Sequence, residues 1–513
     1  MLTVLQHIRN KYTNFQLILF AGIFIRLVAA IFSKGFGWFD DHFLVIEAAQ
    51  SWVDGFDYNF WLPDEALPDR HAQGHPLFYV GIHYYLLKFF SALGMSDPQF
   101  KMLLIRILHA FYSMLTVIYG YKLAKKLCDE KTALTVAALL SLFWFMPFLS
   151  VRNLVEFVCV PPLIMASYFF ISKKNNKEFF IGGVLLGLAF SIRFQSLFYS
   201  AGIVLALIIN KNSIRNLLSA LLGFILIVVL TQGLIDYVIW KRPFAEFMAY
   251  FSYNIENATI YGNNIWHMYF DLIFGLLIPP LSFVLFAGWI YDFKRIPILF
   301  LPVLFYLLFH TLFPNKQERF VVTLLPGIII AGVIGFDALL KKYPQFFSVK
   351  LFRYSIVFAV IVNFILLPIA SLTYSKRNRC EALYFLRNTP DAIMPLIEDS
   401  NKENDFTMPP LFYFGKWHSV IGITKTFTTD SAVVAYNLLP EQAKPNYAIF
   451  WRAENMNNRV NSLRKKFLDI NYVTTIEPGF IDKILNRLNP LNDNETAYIY
   501  TLGSPIKQNG HEK

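Results

Sequence analysis

The hydrophobic pattern of this chain consists of long apolar stretches, each close to the length that crosses a bilayer, separated by short polar segments. Stretches of this length with few charges are typical of transmembrane helices. They are 15–33, 103–124, 132–150, 154–172, 179–192, 196–210, 214–236, 268–291, 296–313, 321–340 and 352–372. The pattern predicts an all-α polytopic membrane protein with about 11 transmembrane helices.

One more apolar stretch, 76–94, is predicted not to cross the membrane. Without that crossing, the basic residues of the short loops fall on one side, which the positive-inside rule assigns to the cytoplasm. These residues are Arg9, Lys11, Lys122, Lys125, Lys126, Lys131, Lys173, Lys174, Lys177, Lys211, Arg215, Lys294, Arg295, Lys341, Lys342, Lys350 and Arg353. We therefore expect an interfacial or re-entrant helix at 76–94 and a cytoplasmic N-terminus.

The sequence changes character after about residue 372, where the apolar runs become short and polar turns separate them. The runs with strand composition are 432–436, 447–451, 471–475 and 497–502, and helices are predicted at 460–468 and 481–488. We expect a membrane domain, 1–372, and a small extracytoplasmic α/β domain, 373–513.

Composition agrees with a membrane protein. Hydrophobic residues make up 56% of the 513 positions and charged residues only 16%, with a mean hydropathy of +0.44. The net charge of +11 lies mostly in the loops, where it sets orientation, and does not indicate nucleic-acid binding. Cys128, Cys159 and Cys380 are too scattered for a metal cluster or a disulfide framework. The first apolar stretch lacks a small-residue cleavage site and is predicted to be retained.

Four groups of polar residues are predicted to lie on the outer face. They are Asp40, Asp41 and Glu47; Arg70 and His75, in a loop with Asp64, Glu65 and Asp69; Arg152, Glu156, Arg193 and Gln195; and Lys316, Gln317, Glu318 and Arg319. Any single group is also what a hydrated loop or an interfacial anchor contains. Four groups on one face favour a cationic pocket that works with an acidic base.

The acidic group suits proton transfer. Adjacent carboxylates such as Asp40 and Asp41 activate a hydroxyl as a general base, or they bind a divalent cation. An ordinary acidic loop remains the alternative. The cationic groups suit transfer from a phosphate leaving group, whose developing charge arginine and lysine stabilise.

Two motifs resemble those of a known family. The run from Phe39 to Glu47, FDDHFLVIE, resembles the Pro-Asp-Glu-x-Phe-Gln-x-x-Glu signature of glycosyltransferase family 22, which holds mannosyltransferases of GPI-anchor and N-glycan precursor assembly. The run from Asn315 to Phe320, NKQERF, is similar to the family's His-Lys-Glu-x-Arg-Phe motif. The Arg70 segment resembles the family's arginine-then-proline loop. Together these matches extend over about residues 38–326.

The departures are Asp41 for glutamate, Asn315 for histidine and Gln317 for glutamate, while Lys316 and Arg319 are kept. The resemblance implies a GT-C fold whose catalytic domain, 1–372, carries the acidic motif in an outer loop, 34–102. It implies a polyprenyl-phosphate-linked mannose donor, a glycan or glycolipid acceptor, inversion at the anomeric carbon, and no metal or other cofactor.

Roles follow from the chemistry and the resemblance together. We predict that Asp40 is the catalytic base and that Asp41 and Glu47 position the acceptor or tune that base. Arg319, Lys316 and Arg193 are predicted to hold the lipid phosphate. The remaining predicted substrate-binding residues are Arg70, His75, Arg152, Glu156, Gln195, Gln317 and Glu318.

Two alternatives stay open. Another GT-C enzyme, such as a protein O-mannosyltransferase or a lipid A aminoarabinose transferase, shares outer carboxylates and a lipid-phosphate site. A lipid-linked saccharide transporter or flippase also has many spans, although the two halves of this chain show no repeat. The absence of a retrieval signal favours a bacterial inner membrane, with the endoplasmic reticulum membrane expected for a eukaryotic source.

Overall fold

The computed structural model describes residues 13–64, 70–172, 175–260, 265–347, 349–488 and 496–506. Arg9, Lys11, Glu65, Asp69, Lys173 and Lys174, used above, lie outside these ranges. The chain divides into two compact units. The first unit takes the segment up to Ser33, Phe60–Ile82 and Leu103–Leu372, and the second takes Lys34–Asn59, His83–Met102 and the segment from Thr373 onward.

The first unit is built from helices. They are Asn14–Phe32, Glu130–Leu142, Met146–Ser150, Val155–Val158, Val160–Ser172, Asn176–Ile192, Ser196–Ile209, Ile214–Val228, Leu234–Trp240, Ala245–Glu256, Met268–Leu276, Leu281–Tyr291, Pro297–Leu312, Leu325–Lys342, Pro344–Phe347 and Lys350–Leu372. A π-helical turn, Val229–Gly233, and a 3-10 turn, Glu318–Thr323, complete it. Leu77–Ala92 and Pro98–Leu127 contribute residues to both units.

Among the described residues, five helical segments are long and apolar enough to cross a membrane. They are Asn14–Phe32, Pro98–Leu127, Val155–Ser172, Ile214–Trp240 and Lys350–Leu372. Ser196–Ile209 and Pro297–Leu312 are apolar but shorter. The helical membrane architecture is as the hydrophobic pattern predicted, whereas the number of about 11 crossings stays a prediction.

The predicted span 268–291 is not one straight helix. Met268–Leu276 and Leu281–Tyr291 meet at an angle of 115°. Pro279 and Pro280 lie in the break, and because proline has no backbone N–H it cannot continue a helical hydrogen-bond ladder. This pair is therefore a broken span or a re-entrant segment.

A fully buried arginine ties helices of the first unit together. Arg26 donates hydrogen bonds to Ser113 Oγ at 3.0 Å, Ser150 Oγ at 3.2 Å, and the carbonyls of Ser141 and Leu140 at 3.0 and 2.9 Å. A guanidinium within an apolar helix is costly unless its donors are satisfied. Arg26 thus contributes to specific helix packing, a role the hydrophobic pattern did not reveal.

Small residues allow a close contact between two helices. A Cβ atom on Gly183 of helix Asn176–Ile192 would lie 1.9 Å from the carbonyl oxygen of Ala220 in helix Ile214–Val228. The same contact is made from the other side by Gly223, whose Cβ would lie 2.2 Å from Phe180 O. Small side chains at such positions let helix backbones approach within a membrane.

The second unit contains a five-stranded mixed sheet of order β2-β1-β3-β5-β4. The strands are β1 (Pro395–Glu398), β2 (Gly422–Ile423), β3 (Tyr447–Trp451), β4 (Tyr472–Ile476) and β5 (Ala497–Thr501). β1 pairs in parallel with β2 and β3, and β5 pairs antiparallel with β3 and β4. The central strand β3 is buried along its whole length, as its apolar sequence indicates.

The helices of this unit are Phe39–His42, Ala48–Val53, Arg377–Arg387, Thr429–Leu438, Met456–Arg464 and Phe480–Leu488. The prediction of a strand at 432–436 is wrong, since this stretch lies within helix Thr429–Leu438. Ala432 and Tyr436, one helical turn apart, supply its buried face. β1 and β2 were missed because runs this short resemble loops.

Candidate active site

The acidic segment of the second unit is a continuous irregular helix. Helix Phe39–His42 leads through a π-helical turn, Phe43–Glu47, into helix Ala48–Val53. Asp41 is 3% exposed, and its two carboxylate oxygens accept the backbone N–H groups of Gly37 and Trp38, each at 3.1 Å. Asp41 therefore fixes the start of this helix. Asp40, the next carboxylate, is half-buried.

Two cations that sequence reasoning missed lie beside this segment. Lys376 donates to the carbonyl of Gly37 at 2.7 Å, and the guanidinium of Arg379 lies 5.3 Å from the ring centre of Phe36. Burial, and then the charge of Arg379, lower the pKa of Lys376 to about 8, while Asp41 acts in the opposite direction. The sequence feature that could have identified these two cations is the run of basic residues directly after the last apolar stretch.

Glu47 is completely buried in the second unit. Its Oε1 lies 3.1 Å from Nε2 of His42 and accepts the backbone N–H of Phe412 at 3.1 Å. Burial raises the pKa of Glu47 well above its ordinary value and lowers that of His42. The contacts of Glu47 hold Phe412 against the acidic segment, and its predicted role toward substrate stays a prediction.

In the first unit, polar residues from separate predicted groups come together. The buried carboxylate of Glu156 has its Oε1 3.0 Å from Nη2 of Arg193 and 3.6 Å from Nε of Arg319. Arg193 Nε donates to Gln195 Oε1 at 3.0 Å, and Arg319 Nε donates to Gln317 Oε1 at 2.8 Å. We call these five residues the arginine cluster.

The arginine cluster is supported by buried neighbours. The ring centre of Phe320 lies 5.3 Å from the guanidinium carbon of Arg193 and 5.6 Å from that of Arg319. The hydroxyl of Tyr269 accepts the backbone N–H of Gln317 at 3.1 Å. Thr323 donates to the carbonyl of Glu156 at 2.7 Å. Two guanidiniums around one carboxylate leave a surplus positive charge, which suits a phosphate group.

Other residues of the same two sequence groups have different surroundings. Arg152 donates through Nη2 to Ser33 Oγ at 2.9 Å, and its guanidinium carbon lies 4.4 Å from the ring centre of Phe148. Lys316 is buried and donates to the carbonyl of Phe313 at 3.1 Å, whereas Glu318 is exposed.

The predicted loop group is anchored by a glutamate that sequence reasoning missed. Glu246 Oε2 accepts the backbone N–H groups of Gly74 and His75 at 2.7 and 2.9 Å. Burial raises the pKa of Glu246 to about 7. The ring of His75 stacks on Trp61 with centres 4.0 Å apart. An isolated glutamate in a long helical chain offers no pattern that would have identified it.

Arg70 lies in the same loop. Its Nη2 is 3.5 Å from Oδ2 of Asp64, its Nη1 donates to the carbonyl of Leu62 at 3.1 Å, and its guanidinium lies 5.0 Å from the ring centre of Phe60. These contacts fold the loop on itself.

In the part of the chain that the structure describes, no three His, Cys, Asp or Glu side chains form a group able to hold a metal ion.

Comparisons with known proteins cover both the acidic segment and the arginine cluster. The model of the Alg9-like mannosyltransferase family matches residues 17–420, which include the acidic segment and the arginine cluster. The chain belongs to this family. The resemblance inferred from the two motifs is thereby confirmed.

Individual relatives are distant. The chain is 26% identical over 340 residues to GPI mannosyltransferase 3 of Candida albicans, covering 64% of this chain and 65% of the relative. It is 24% identical over 300 residues to GPI alpha-1,2-mannosyltransferase 3 of Homo sapiens, covering 57% of this chain and 52% of the relative. The matched region thus spans less than two thirds of either relative.

A solved structure shares the fold. ArnT from Cupriavidus metallidurans, bound to undecaprenyl phosphate, superposes with a TM-score of 0.59 at 11% identity, over 94% of this chain and 97% of that one. This likeness supports the predicted GT-C type of fold. With the apolar helices and the family match, it makes the chain a multi-pass membrane protein.

Proposed function

We propose that this protein is an inverting membrane glycosyltransferase that transfers a hexose, mannose by family, from a polyprenyl-phosphate-linked donor to a glycan or glycolipid acceptor. The observation that carries the proposal is the arginine cluster, in which Arg193 and Arg319 flank the buried carboxylate of Glu156. Family membership supports the sugar, and the undecaprenyl phosphate held by ArnT supports the class of donor.

The arginine cluster would bind the donor phosphate. A guanidinium presents several N–H donors in one plane, which match phosphate oxygens and remain charged at any physiological pH. Arg193 and Arg319 stabilise the charge that grows on the phosphate as its bond to the anomeric carbon breaks. Gln195 and Gln317 hold the two Nε–H groups and so orient the guanidinium planes. Lys316 adds a further positive charge.

The acidic segment would activate the acceptor. Asp40 takes the proton of an acceptor hydroxyl as that oxygen attacks the anomeric carbon, and a single displacement inverts its configuration. Because Asp41 is occupied by two backbone N–H groups, it serves as a positioning residue for Asp40. Glu47 acts in the same sense through Phe412. The proposed reaction uses no metal.

The reaction is proposed to take place on the extracytoplasmic face, with the N-terminus in the cytoplasm and the segment after residue 372 outside. The basic loops support this orientation by the positive-inside rule. A bacterial inner membrane, or the endoplasmic reticulum membrane, is the proposed location. The partners are then the donor, the acceptor and membrane lipids.

Purified protein offered labelled polyprenyl-phosphate mannose or GDP-mannose, with a panel of lipid-linked glycans, tests the proposal. We expect transfer from the lipid donor alone, with the product anomer opposite to that of the donor. A parallel reaction with polyprenyl-phosphate aminoarabinose tests the other GT-C chemistry. Transfer from GDP-mannose would refute the proposed donor, and sugar movement across vesicles without bond formation would indicate a flippase.

A further inference from the structure

A cavity of about 310 Å³ lies within the second unit, and Arg193, Arg319 and Asp40 are not among the described residues that line it. Its lining includes six residues with charged, polar or aromatic side chains. They are Gln50, Asp54, Ser91, Lys101, Arg387 and Phe412. We call it the Lys101 cavity.

The cavity holds a buried ammonium group. Lys101 is 5% exposed, and its Nζ donates to Gln50 Oε1 and to Ser91 Oγ, each at 3.0 Å. An ammonium has three N–H donors. Among the described residues, Nζ makes these two hydrogen bonds. Its third N–H donor therefore remains for a ligand. A buried cation with a donor to spare favours an anionic partner.

The other charges of the lining leave a positive surplus. Asp54 accepts from Gln50 Nε2 at 2.9 Å through one oxygen and from Trp417 Nε1 at 2.7 Å through the other. Arg387 donates through Nη2 to the carbonyl of Ser96 at 2.9 Å and through Nη1 to that of Phe414 at 3.3 Å. Two cations therefore face one carboxylate that is already engaged, and an anionic group completes the balance.

The cavity shares an element with the acidic segment. Gln50 and Asp54 lie on or just after helix Ala48–Val53, which continues the helical segment that contains Asp40. At a helical rise of 1.5 Å per residue, Gln50 lies about 15 Å along the segment from Asp40. Phe412 is another lining residue, and its backbone N–H donates to Oε1 of Glu47 at 3.1 Å. A ligand in the cavity is thus a fixed distance from the proposed base.

We propose that the Lys101 cavity binds an anionic oxygen group, a phosphate or a carboxylate, carried by a sugar of the acceptor. The acceptor would then be a charged glycan long enough to reach from the cavity to Asp40. The assignment of this ligand to the acceptor rests on the proposed function, whereas binding in the cavity is measured without any transfer.

The test titrates mannose 6-phosphate, glucuronate and mannose into the purified full-length protein, with binding followed calorimetrically. We expect at least one anionic sugar to bind about 10-fold or more tightly than mannose, since a charge-assisted contact is at stake. Phosphate and carboxylate sources are distinguished by which of the two probes binds. Equal binding of all three sugars would overturn the proposal.

Variants locate the binding. Lys101→Met and Arg387→Met should each weaken binding of the anionic sugar by about 10-fold or more. Lys425→Met is the matched control, because this exposed lysine pairs with Glu403 at 3.0 Å and does not line the cavity, and it should bind as the wild type does. Arg387 is half-buried, so its variant carries the test if Lys101→Met fails to fold.

A third variant separates the cavity from the arginine cluster. Arg319→Ala should bind mannose 6-phosphate with unchanged affinity. Loss of binding in Arg319→Ala with retention in both cavity variants would overturn the proposal. If the cavity binds the probe but the enzyme transfers no sugar from any lipid donor, the proposed function fails while the anion site stands. If the enzyme transfers sugar from the lipid donor but no anionic sugar binds, the proposed function stands and the anion site is refuted.

Discussion

Glu156 and Arg193 form an ion pair in which Oε1 and Nη2 are 3.0 Å apart, although Glu156 lies in helix Val155–Val158 and Arg193 in the break between helices Asn176–Ile192 and Ser196–Ile209. Arg319, from a third segment, lies 3.6 Å from the same carboxylate oxygen. The pair therefore sets the position of both guanidiniums. Whatever these arginines bind, Glu156 decides where their donors are held.

The first prediction tests that dependence. Glu156→Ala should lower the free energy of unfolding by about 3–5 kcal/mol, because the buried guanidinium of Arg319 and the partly buried one of Arg193 lose their compensating charge. Thermal unfolding in detergent measures the change. Glu256→Ala, at an exposed helix end, is the control and should alter stability by no more than about 0.5 kcal/mol. Equal stability of the two variants would mean that the ion pair is not a structural element.

The second prediction concerns donor binding. Arg319→Ala should raise the KM for the lipid-phosphate donor, because a charge-assisted contact contributes about 1.5–3 kcal/mol. Arg319→Lys should restore only part of the loss, since lysine is a point charge without the planar fork. Steady-state kinetics over a range of donor concentrations measures both. Full activity of the alanine variant would remove Arg319 from the donor site.

The third prediction separates the two adjacent carboxylates. Asp40→Asn should reduce kcat by about 100-fold or more with unchanged thermal stability, because an amide cannot accept the proton. Asp41→Asn should instead lower stability by roughly 1–3 kcal/mol, since one of the two backbone N–H groups it holds loses its acceptor. Turnover and melting temperature are measured for both. A stable Asp41 variant with the larger loss of kcat would move the base to Asp41.

The fourth prediction is a pH dependence set by Glu246. Its pKa of about 7 in the folded protein exceeds its ordinary value of 4.5, so the folded state binds more protons than the unfolded state between these pH values. The contribution of Glu246 to the free energy of unfolding therefore falls as pH rises from 4.5 to 7, by roughly 3 kcal/mol in total.

Glu246→Gln carries no titrating group at this position. The melting temperature of the wild type should fall relative to that of Glu246→Gln as pH rises through this window, in a series of melts at constant salt. A constant difference between the two proteins across the window would show that Glu246 titrates normally.

The fifth prediction is the topology. Single cysteines at Asp64 and Asn404 should react with an impermeant thiol reagent from outside intact cells, whereas a cysteine at Lys126 should react only after the membrane is opened. The native cysteines are replaced first. Labelling of positions 64 and 126 from the same side would show that 76–94 crosses the membrane and that the orientation is wrong.

The sequence alone was sufficient for the class of protein and for much of its secondary structure. Long apolar stretches have no stable place except a membrane or a core, so their lengths predicted the helices. The strands at 447–451 and 497–502 followed from local composition, and β3 and β5 occupy these stretches. The motifs around Asp40 and Arg319 were sufficient for the family, which the match over residues 17–420 confirms.

Tertiary structure alone decided which polar residues meet. Glu156, Arg193 and Arg319 were predicted in two separate groups, and no local pattern specifies their common ion pair. Lys376 beside the acidic segment, Glu246 under the Gly74 turn and the Lys101 cavity were likewise invisible in the sequence. Backbone preference and hydrophobic burial act locally or without direction, whereas an ion pair or a cavity requires groups far apart in the chain to arrive at one place.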